Sequence, residues 1–336
     1  HRMRAKATVI APANIAFIKY WGTADWERTL PFNPSLSMTL RECVTRTTVE
    51  VLSREENDSV SLMTGEGSLE PAAEAFTRRV VPHLERLREW SGEEVSFRVA
   101  TENSFPMGAG MASSASGFAA LTLAVVAALG KQVSSEEASV LARLSGSGSA
   151  ARSVEGGYVK WPAGEGNEGE HAVQVATADH WDLRDVVAVL QEQAKDVSSR
   201  EGHERAPSSP YFEPRQRLLP DRLETVTQAI LTRDFAALAH TVEEEAIDLH
   251  LIAMSSHPPI FYWRPGTLEV LAAIRRLRQE GAEVCATMDA GANVHMICTP
   301  ESEAVVAEEI GAIPEVSSLI HDGVGRGPKI VDEHLI

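Results

Sequence analysis

Hydrophobic and polar positions along the chain change period several times, and each change predicts an element. The segment "ATVIAPANIAFIKYWG" and the β-branched alternation of "VTRTTVEVL" (Val44 to Leu52) predict two strands. In "EPAAEAFTRRVVPHLERLREW" the apolar residues recur on one helical face, and the short strand "EVSFRVA" follows. A Gly/Ser-rich turn then runs directly into the Ala-rich apolar helix of "NSFPMGAGMASSASGFAALTLAVVAALG". A further helix opens at "SSEEASVLARLS", with Ser134 or Ser135 as its cap ahead of acidic residues. The polar stretch "GEGNEGEHA" predicts a surface loop, and "LRDVVAVLQ" a strand that begins a second domain. Two helices fill "RLETVTQAILTRDFAALAHTVEEEAIDLHLIAMS", and "TLEVLAAIRRLRQEG" supplies another that ends at Gly281. The segment "EVCATMDAGANVHMICTP" predicts strand, tight turn, strand. There is no internal repeat. Interleaved strands and helices place the chain in the mixed α/β class.

Within this pattern one residue is out of place. Lys19 interrupts an apolar run and is followed by Tyr20 and Trp21 with no polar break. An ammonium in an apolar setting is costly unless an anion meets it. A lysine snorkelling from a strand end is the alternative.

Composition narrows the partners. A chain of 336 residues suits two domains, and 43% hydrophobic with 24% charged residues is ordinary for a globular protein. A net charge of -17 argues against nucleic acid or an anionic membrane as the main partner, while an anionic small molecule remains open if basic residues gather locally. No apolar run approaches the roughly 20 residues of a bilayer span, and no secretory signal is visible. Cys43, Cys285 and Cys298 are too few and scattered for a disulfide framework or a zinc site, so a reducing cytoplasm is expected.

Three motifs carry candidate chemistry. "PMGAGMASSASG" sets Gly108 and Gly110 before a helix whose first turn holds Ser113 and Ser114. Glycines allow close approach of an oxyanion, and a helix N-terminus offers free N–H groups, so phosphate binding and simple close packing are both open. The segment lacks the ending of a Walker loop and the third glycine of the dinucleotide fingerprint. In "SGSGSAARSVEGGYVKW", Arg152 follows a Ser/Gly run that either cradles a carboxylate or phosphate or acts as a linker. In "MDAGANVHMI", Asp289 at a strand end is either a turn-stabilising residue or a catalytic base that needs a cation beside it. Lys19 would supply that cation if the two segments meet.

"ANIAFIKYWG", "FPMGAGMASSASGFAAL", "SGSGSAARSVEGGYVKW", "KDVSSREG", "HPPIFYW" and "MDAGANVHMI" occur in the order found in diphosphomevalonate decarboxylases, ATP-dependent members of the GHMP kinase superfamily. The resemblance runs from about Ala13 to Asn293, and residues 53 to 70 show little of it. It implies an α/β (α+β) fold of two domains. An S5-like N-terminal domain would span residues 1–182 and a ferredoxin-like C-terminal domain 183–336, with the active site in the cleft between them. It implies ATP and magnesium, phosphorylation of a tertiary 3-hydroxyl, and loss of phosphate and carbon dioxide to leave an alkene.

By the resemblance, Asp289 matches the catalytic aspartate, Lys19 its partner, and Arg152 the arginine that grips the substrate carboxylate. Ser147 and Ser149 match the anion cradle. Gly108, Gly110, Ser113 and Ser114 match the ATP phosphate loop, with Ser113 or Ser114 reaching magnesium. Tyr20 and Trp21 line the cleft, and Lys195 and Arg200 match positions near the distal phosphate. Relatives are often homodimers. His203, in a segment resembling a mobile substrate loop, is expected at the surface, and His257 in a proline-fixed turn.

Thr23 departs from the resemblance, because the usual motif reads KYWGK where this chain has "KYWGT". One ammonium fewer points to a substrate with a single phosphate, 5-phosphomevalonate, giving isopentenyl phosphate. The alternatives are the usual 5-diphosphate substrate with Lys195 and Arg200 supplying the charge, a 3-kinase that does not decarboxylate, and a non-catalytic small-molecule binding protein.

Overall fold

The computed structural model describes residues 6–106, 113–163, 171–190 and 195–336. Its first half is built on β1 (Lys6–Ile18), a short hairpin of β2 (Thr23–Asp25) and β3 (Leu30–Pro31), and the long strand β4 (Ser35–Ser53). There follow β5 (Ser59–Met63), β6 (Leu69–Pro71), helix α1 (Glu74–Ser91) and β7 (Val95–Asn103). Helices α2 (Ser113–Ala128) and α3 (Ser135–Arg143) come next, then a 3-10 turn over Gly148–Arg152, β8 (Tyr158–Trp161) and β9 (Val173–Ala176). The second half contains β10 (Arg184–Val189), α4 (Ser199–Arg205), α5 (Phe212–Thr232), α6 (Phe235–Ser255) and α7 (Pro265–Gln279). It closes with β11 (Val284–Thr287), β12 (Val294–Cys298), α8 (Pro300–Gly311), β13 (Ser318–Gly323) and β14 (Lys329–Val331).

Two sheets organise these elements. The first runs β14-β1-β4-β7-β5-β6, with β8 and β9 extending from the other end of β4. The second runs β11-β12-β10-β13 and is antiparallel throughout. The apolar α2 packs with α1 on the first sheet, where Phe97, Leu84, Leu87 and Val125 are sealed from solvent. A helix apolar on nearly every side must be enclosed in this way. Alternation along β10 serves two layers: Val186 and Ala188 face α7 and α8, while Val187 faces a core shared with β1, β4, α5 and α6. That shared core, which includes Ile15, Phe17, Leu36, Val226 and Val242, joins the two sheets.

The strand predicted through "KYWG" ends at Ile18. The main chain of Lys19 bonds instead to side chains: its N–H donates to Glu245 Oε2 at 2.9 Å, and its carbonyl accepts from Arg215 at 2.9 Å. Ser134, not Ser135, caps α3, its hydroxyl accepting the Glu137 N–H. Of the polar stretch, residues 164–170 lie outside the described residues. Among the described residues no helix is long and apolar enough to cross a membrane.

The segment expected as a mobile loop around His203 is helix α4, capped by Ser198. His203 is half-buried at the cleft wall rather than free on the outer surface. Its ring lies 4.2 Å from that of Tyr20 and 4.6 Å from that of Trp21, and Nδ1 accepts the Gly22 N–H at 2.9 Å. Gly202 allows this docking, because a Cβ there would lie 2.3 Å from the Trp21 ring. Spacing alone hid the role, since the ring's partners lie some 180 residues away.

Two predictions follow from contacts that hold these elements. Where β4 bulges between its partners, the buried Asp322 carboxylate accepts the N–H groups of Arg41, Glu42 and Cys43 at 2.8, 2.9 and 2.8 Å. Asp322→Ala leaves those donors unpaired and lowers unfolding stability by roughly 2–4 kcal/mol in urea titration; a change below about 0.5 kcal/mol would contradict the assignment. His203 is pushed from 6.5 down to about 3, by burial first and then by Arg215, Lys195 and Arg152. The folded state thus favours the neutral ring, so its contribution is complete above 6.5 and is lost as pH falls toward 3. His83 and His250, both also near 3 through burial, add to this slope. His203→Gln should flatten the acid decline of stability over that window, and an unchanged slope would show that His203 is not held neutral.

Candidate active site

The cleft between the two halves has a volume of about 610 Å³. Its walls come from the end of β1, the middle of α1, the first turn of α2, the 3-10 turn at Gly148–Arg152, α4 and the turn between β11 and β12. Among its described lining residues are seven cations, Lys19, Arg78, Arg79, Arg86, Arg152, Lys195 and Arg200, against two carboxylates, Glu27 and Asp289. On a chain of net charge -17 this inversion marks a site for an anion.

At its floor, Lys19 Nζ donates to Asp289 Oδ1 at 2.9 Å. The two segments do meet. Lys19 is 1% exposed, and burial lowers its pKa against the opposing pull of Asp289 and Glu245. Burial pushes Asp289 up, but Lys19, His295 and Arg152 together outweigh it and hold the carboxyl below its usual range. The result is an ionised carboxylate at the end of a strand, open on one side to the cleft.

Arg152 enters the same floor from the 3-10 turn. It is 3% exposed, bonds to Ser35 Oγ, and donates to Asn14 Oδ1 at 3.2 Å. Burial lowers its pKa to about 10. Its Nε is buried with no acceptor, and the guanidinium makes no salt bridge among the described residues. A fork held by neutral partners with a donor left over is suited to a ligand carboxylate. Beside it, the Ser147 hydroxyl lies 3.2 Å from that of Ser114 and 3.4 Å from that of Ser149. These three hydroxyls form an oxygen-only cluster at the first turn of α2. Gly108 and Gly110 lie outside the described residues, as does the side chain of Ser113, whose backbone opens α2.

The remaining expected residues divide. Tyr20 lines the cleft edge-on to Trp161 at 4.9 Å, its hydroxyl pushed up to about 12 by burial. Trp21 borders the cleft but is 2% exposed, most of its ring lying under α4. Lys195 Nζ donates to the Ala290 carbonyl at 2.7 Å, next to Asp289, and burial lowers its pKa. Arg200 is exposed, with its guanidinium 4.9 Å from the centre of the Trp26 ring. His257 precedes Pro258 in a cis peptide at the turn after α6. Thr23 does not line the cleft. It is buried in β2, its hydroxyl bonded to that of Tyr20, so its side chain is already committed to a neighbour.

Glu245, Arg215, Asn33, Asn14 and Ser35 escaped the motif reading. A signal existed for Glu245: it recurs with Val242, Ala246 and Leu249 on the buried face of α6, where a carboxylate needs a partner.

Comparison with known proteins agrees over the whole chain. A family model described as the diphosphomevalonate decarboxylase-like N-terminal domain matches residues 11–173, and one for the mevalonate 5-diphosphate decarboxylase C-terminal domain matches residues 185–318. The diphosphomevalonate decarboxylase of Candida albicans is 31% identical over 98% of this chain and 99% of its own. That of Saccharomyces cerevisiae is 34% identical over 92% and 82%. The solved complex of MDDEF with MVAPP, AMPPCP and magnesium superposes with a TM-score of 0.89 at 34% identity, covering 98% of this chain and 99% of that one. Mevalonate diphosphate decarboxylase from Staphylococcus aureus gives a TM-score of 0.90 at 29% identity, covering 98% of both chains. With both family models in register and relatives above 30% identity along nearly its full length, the chain belongs to the diphosphomevalonate decarboxylase family.

Proposed function

We propose that this protein converts 5-diphosphomevalonate and ATP to isopentenyl diphosphate, ADP, phosphate and carbon dioxide. The Lys19–Asp289 pair, set beside Arg152 in a cation-rich cleft, is the observation that carries the reading. Asp289 orients the 3-hydroxyl and takes its proton as the phosphoryl group is transferred. Lys19 keeps that carboxylate ionised before the reaction. Arg152, with Ser147 and Ser149, grips the carboxylate that will leave. Once phosphorylated, the 3-oxygen departs as phosphate and positive charge builds at carbon 3. The Asp289 carboxylate then stabilises that centre while the bond to the carboxylate breaks, its electron pair forming the alkene.

Lys195 and Arg200 face the distal phosphates, and Tyr20 and Trp21 shape the pocket wall. Gly108, Gly110, Ser113 and Ser114 take the ATP phosphates at the start of α2. No group of three or more His, Cys, Asp or Glu among the described residues could hold a metal. The oxygen-only cluster around Ser114 suits a magnesium ion, which would be held by nucleotide phosphates and the Ser114 hydroxyl, or by that of Ser113, whose side chain lies outside the described residues. Bound there, it would neutralise charge on the phosphates. The unit boundary at 182/183 is part of this reading, supported by the change of sheet between β9 and β10, although β14 returns to pair with β1.

The single-phosphate substrate expected from Thr23 is replaced by the diphosphate. The family's relatives are named for the diphosphate substrate, and the Thr23 hydroxyl is occupied by Tyr20 while, among the described residues, six cations besides Lys19 line the cleft. A paired turnover assay with ATP and magnesium tests this. ADP and carbon dioxide should appear together, with kcat/KM at least about tenfold higher for the 5-diphosphate than for the 5-monophosphate. The reverse preference would restore the Thr23 argument. ADP without carbon dioxide would make the protein a 3-kinase, and neither product would leave only binding.

A further inference from the structure

The main chain of Lys19 is held by Glu245 and Arg215 from the opposite half of the molecule and by Asn33 from its own. Its N–H donates to Glu245 Oε2 at 2.9 Å, and its carbonyl accepts both Arg215 Nη2 at 2.9 Å and Asn33 Nδ2 at 2.8 Å. Arg215 in turn donates to both oxygens of Glu245, at 3.2 and 3.0 Å. Arg222 joins Glu245 to Asp248 at 2.8 and 2.7 Å. The Arg215 and Glu245 side chains are 1% and 0% exposed.

Such a pair is a poor source of stability, since desolvation offsets most of its attraction and an apolar pair of the same volume often does as well. Its bonds to one residue indicate a different use. Both members of the pair bond directly to the Lys19 peptide, and Lys19 is where β1 stops. We propose that Arg215 and Glu245 are positioning residues for catalysis, a clamp from α5 and α6 that fixes the Lys19 backbone so that its ammonium meets Asp289. The proposal rests on the roles assigned to Lys19 and Asp289 above.

Glu245 also acts on the charge of Lys19. The groups bearing on that ammonium are Asp289 and Glu245, which favour it, and Arg152, which opposes it; His250 and His295 also sense it. Burial pushes Glu245 up, but Arg215, the Lys19 N–H and Arg222 outweigh it, so the carboxylate stays ionised. Removing its charge lowers the Lys19 pKa. If turnover needs the ammonium, the alkaline limb of the pH profile must then move to lower pH.

The test is steady-state kinetics of Glu245→Gln beside the wild type, with thermal unfolding measured on the same preparations. The clamp predicts a kcat fall of about tenfold or more, KM for diphosphomevalonate within about threefold, and an alkaline limb lowered by roughly half a pH unit or more. Should Glu245→Gln not fold, Arg215→Met with Glu245→Leu replaces the pair by apolar volume, and the same kcat loss in a folded protein is expected. A folded variant with wild-type kcat and an unmoved alkaline limb, whatever its melting temperature, reduces the pair to a structural contact and overturns the clamp alone. A wild type that releases no ADP and carbon dioxide overturns the functional reading and the clamp with it.

Discussion

The contact between Lys19 and Asp289 ties the two halves of the molecule at the point where chemistry is proposed. One partner stands at the end of a strand in the first sheet, the other in a turn of the second. An ammonium 1% exposed is tolerable only with an anion at hydrogen-bond distance. A carboxylate so placed is in turn kept ionised by its partner. The shared apolar core of β1, β4, β10, α5 and α6 holds the two sheets in the orientation this contact requires. Without that core the pair would be two costly buried charges.

The rest of the cleft extends the same logic outward. Arg152 is anchored by Ser35 and Asn14, neutral partners that fix its plane and leave its charge unspent. Lys195 is tethered to the carbonyl beside Asp289, whereas Arg200, further out, stacks on an exposed tryptophan. The cations thus grade from rigid and buried at the reacting end to solvated at the rim. This gradient suits a ligand whose carboxylate must be held in one geometry while its phosphate tail is gripped by charge alone. The acidic surface elsewhere leaves the cleft as the local destination for such an anion.

Much of this was legible in the chain. The interrupted apolar run at Lys19 left an anion or a snorkelling ammonium open, and Asp289 either a turn residue or a base needing a cation; the fold supplies each with the other. Strand and helix periods located β1, the second half of β4, α1, β7, α2, α3, β10, α5, α6, α7, β11 and β12, because burial on one face imposes them, whereas short or edge elements such as β5, β6, β13 and β14 carry too little period to be read. What could not be read depended on distant partners. The strand ends at Ile18 because side chains from residues 215 and 245 take over the next peptide. His203 read as a surface residue because its stacking partners are Tyr20 and Trp21. Thr23 read as a missing phosphate ligand because a motif position says nothing of where its side chain is spent.

Whether Lys19 and Asp289 act as a unit is measured directly by a double-mutant cycle on turnover. Lys19→Met and Asp289→Asn should each lower kcat by roughly 10²–10⁴-fold, and the double variant should be no slower than the slower single one. Losses that multiply in the double variant would mean two independent residues, and the pair would then be a structural contact alone.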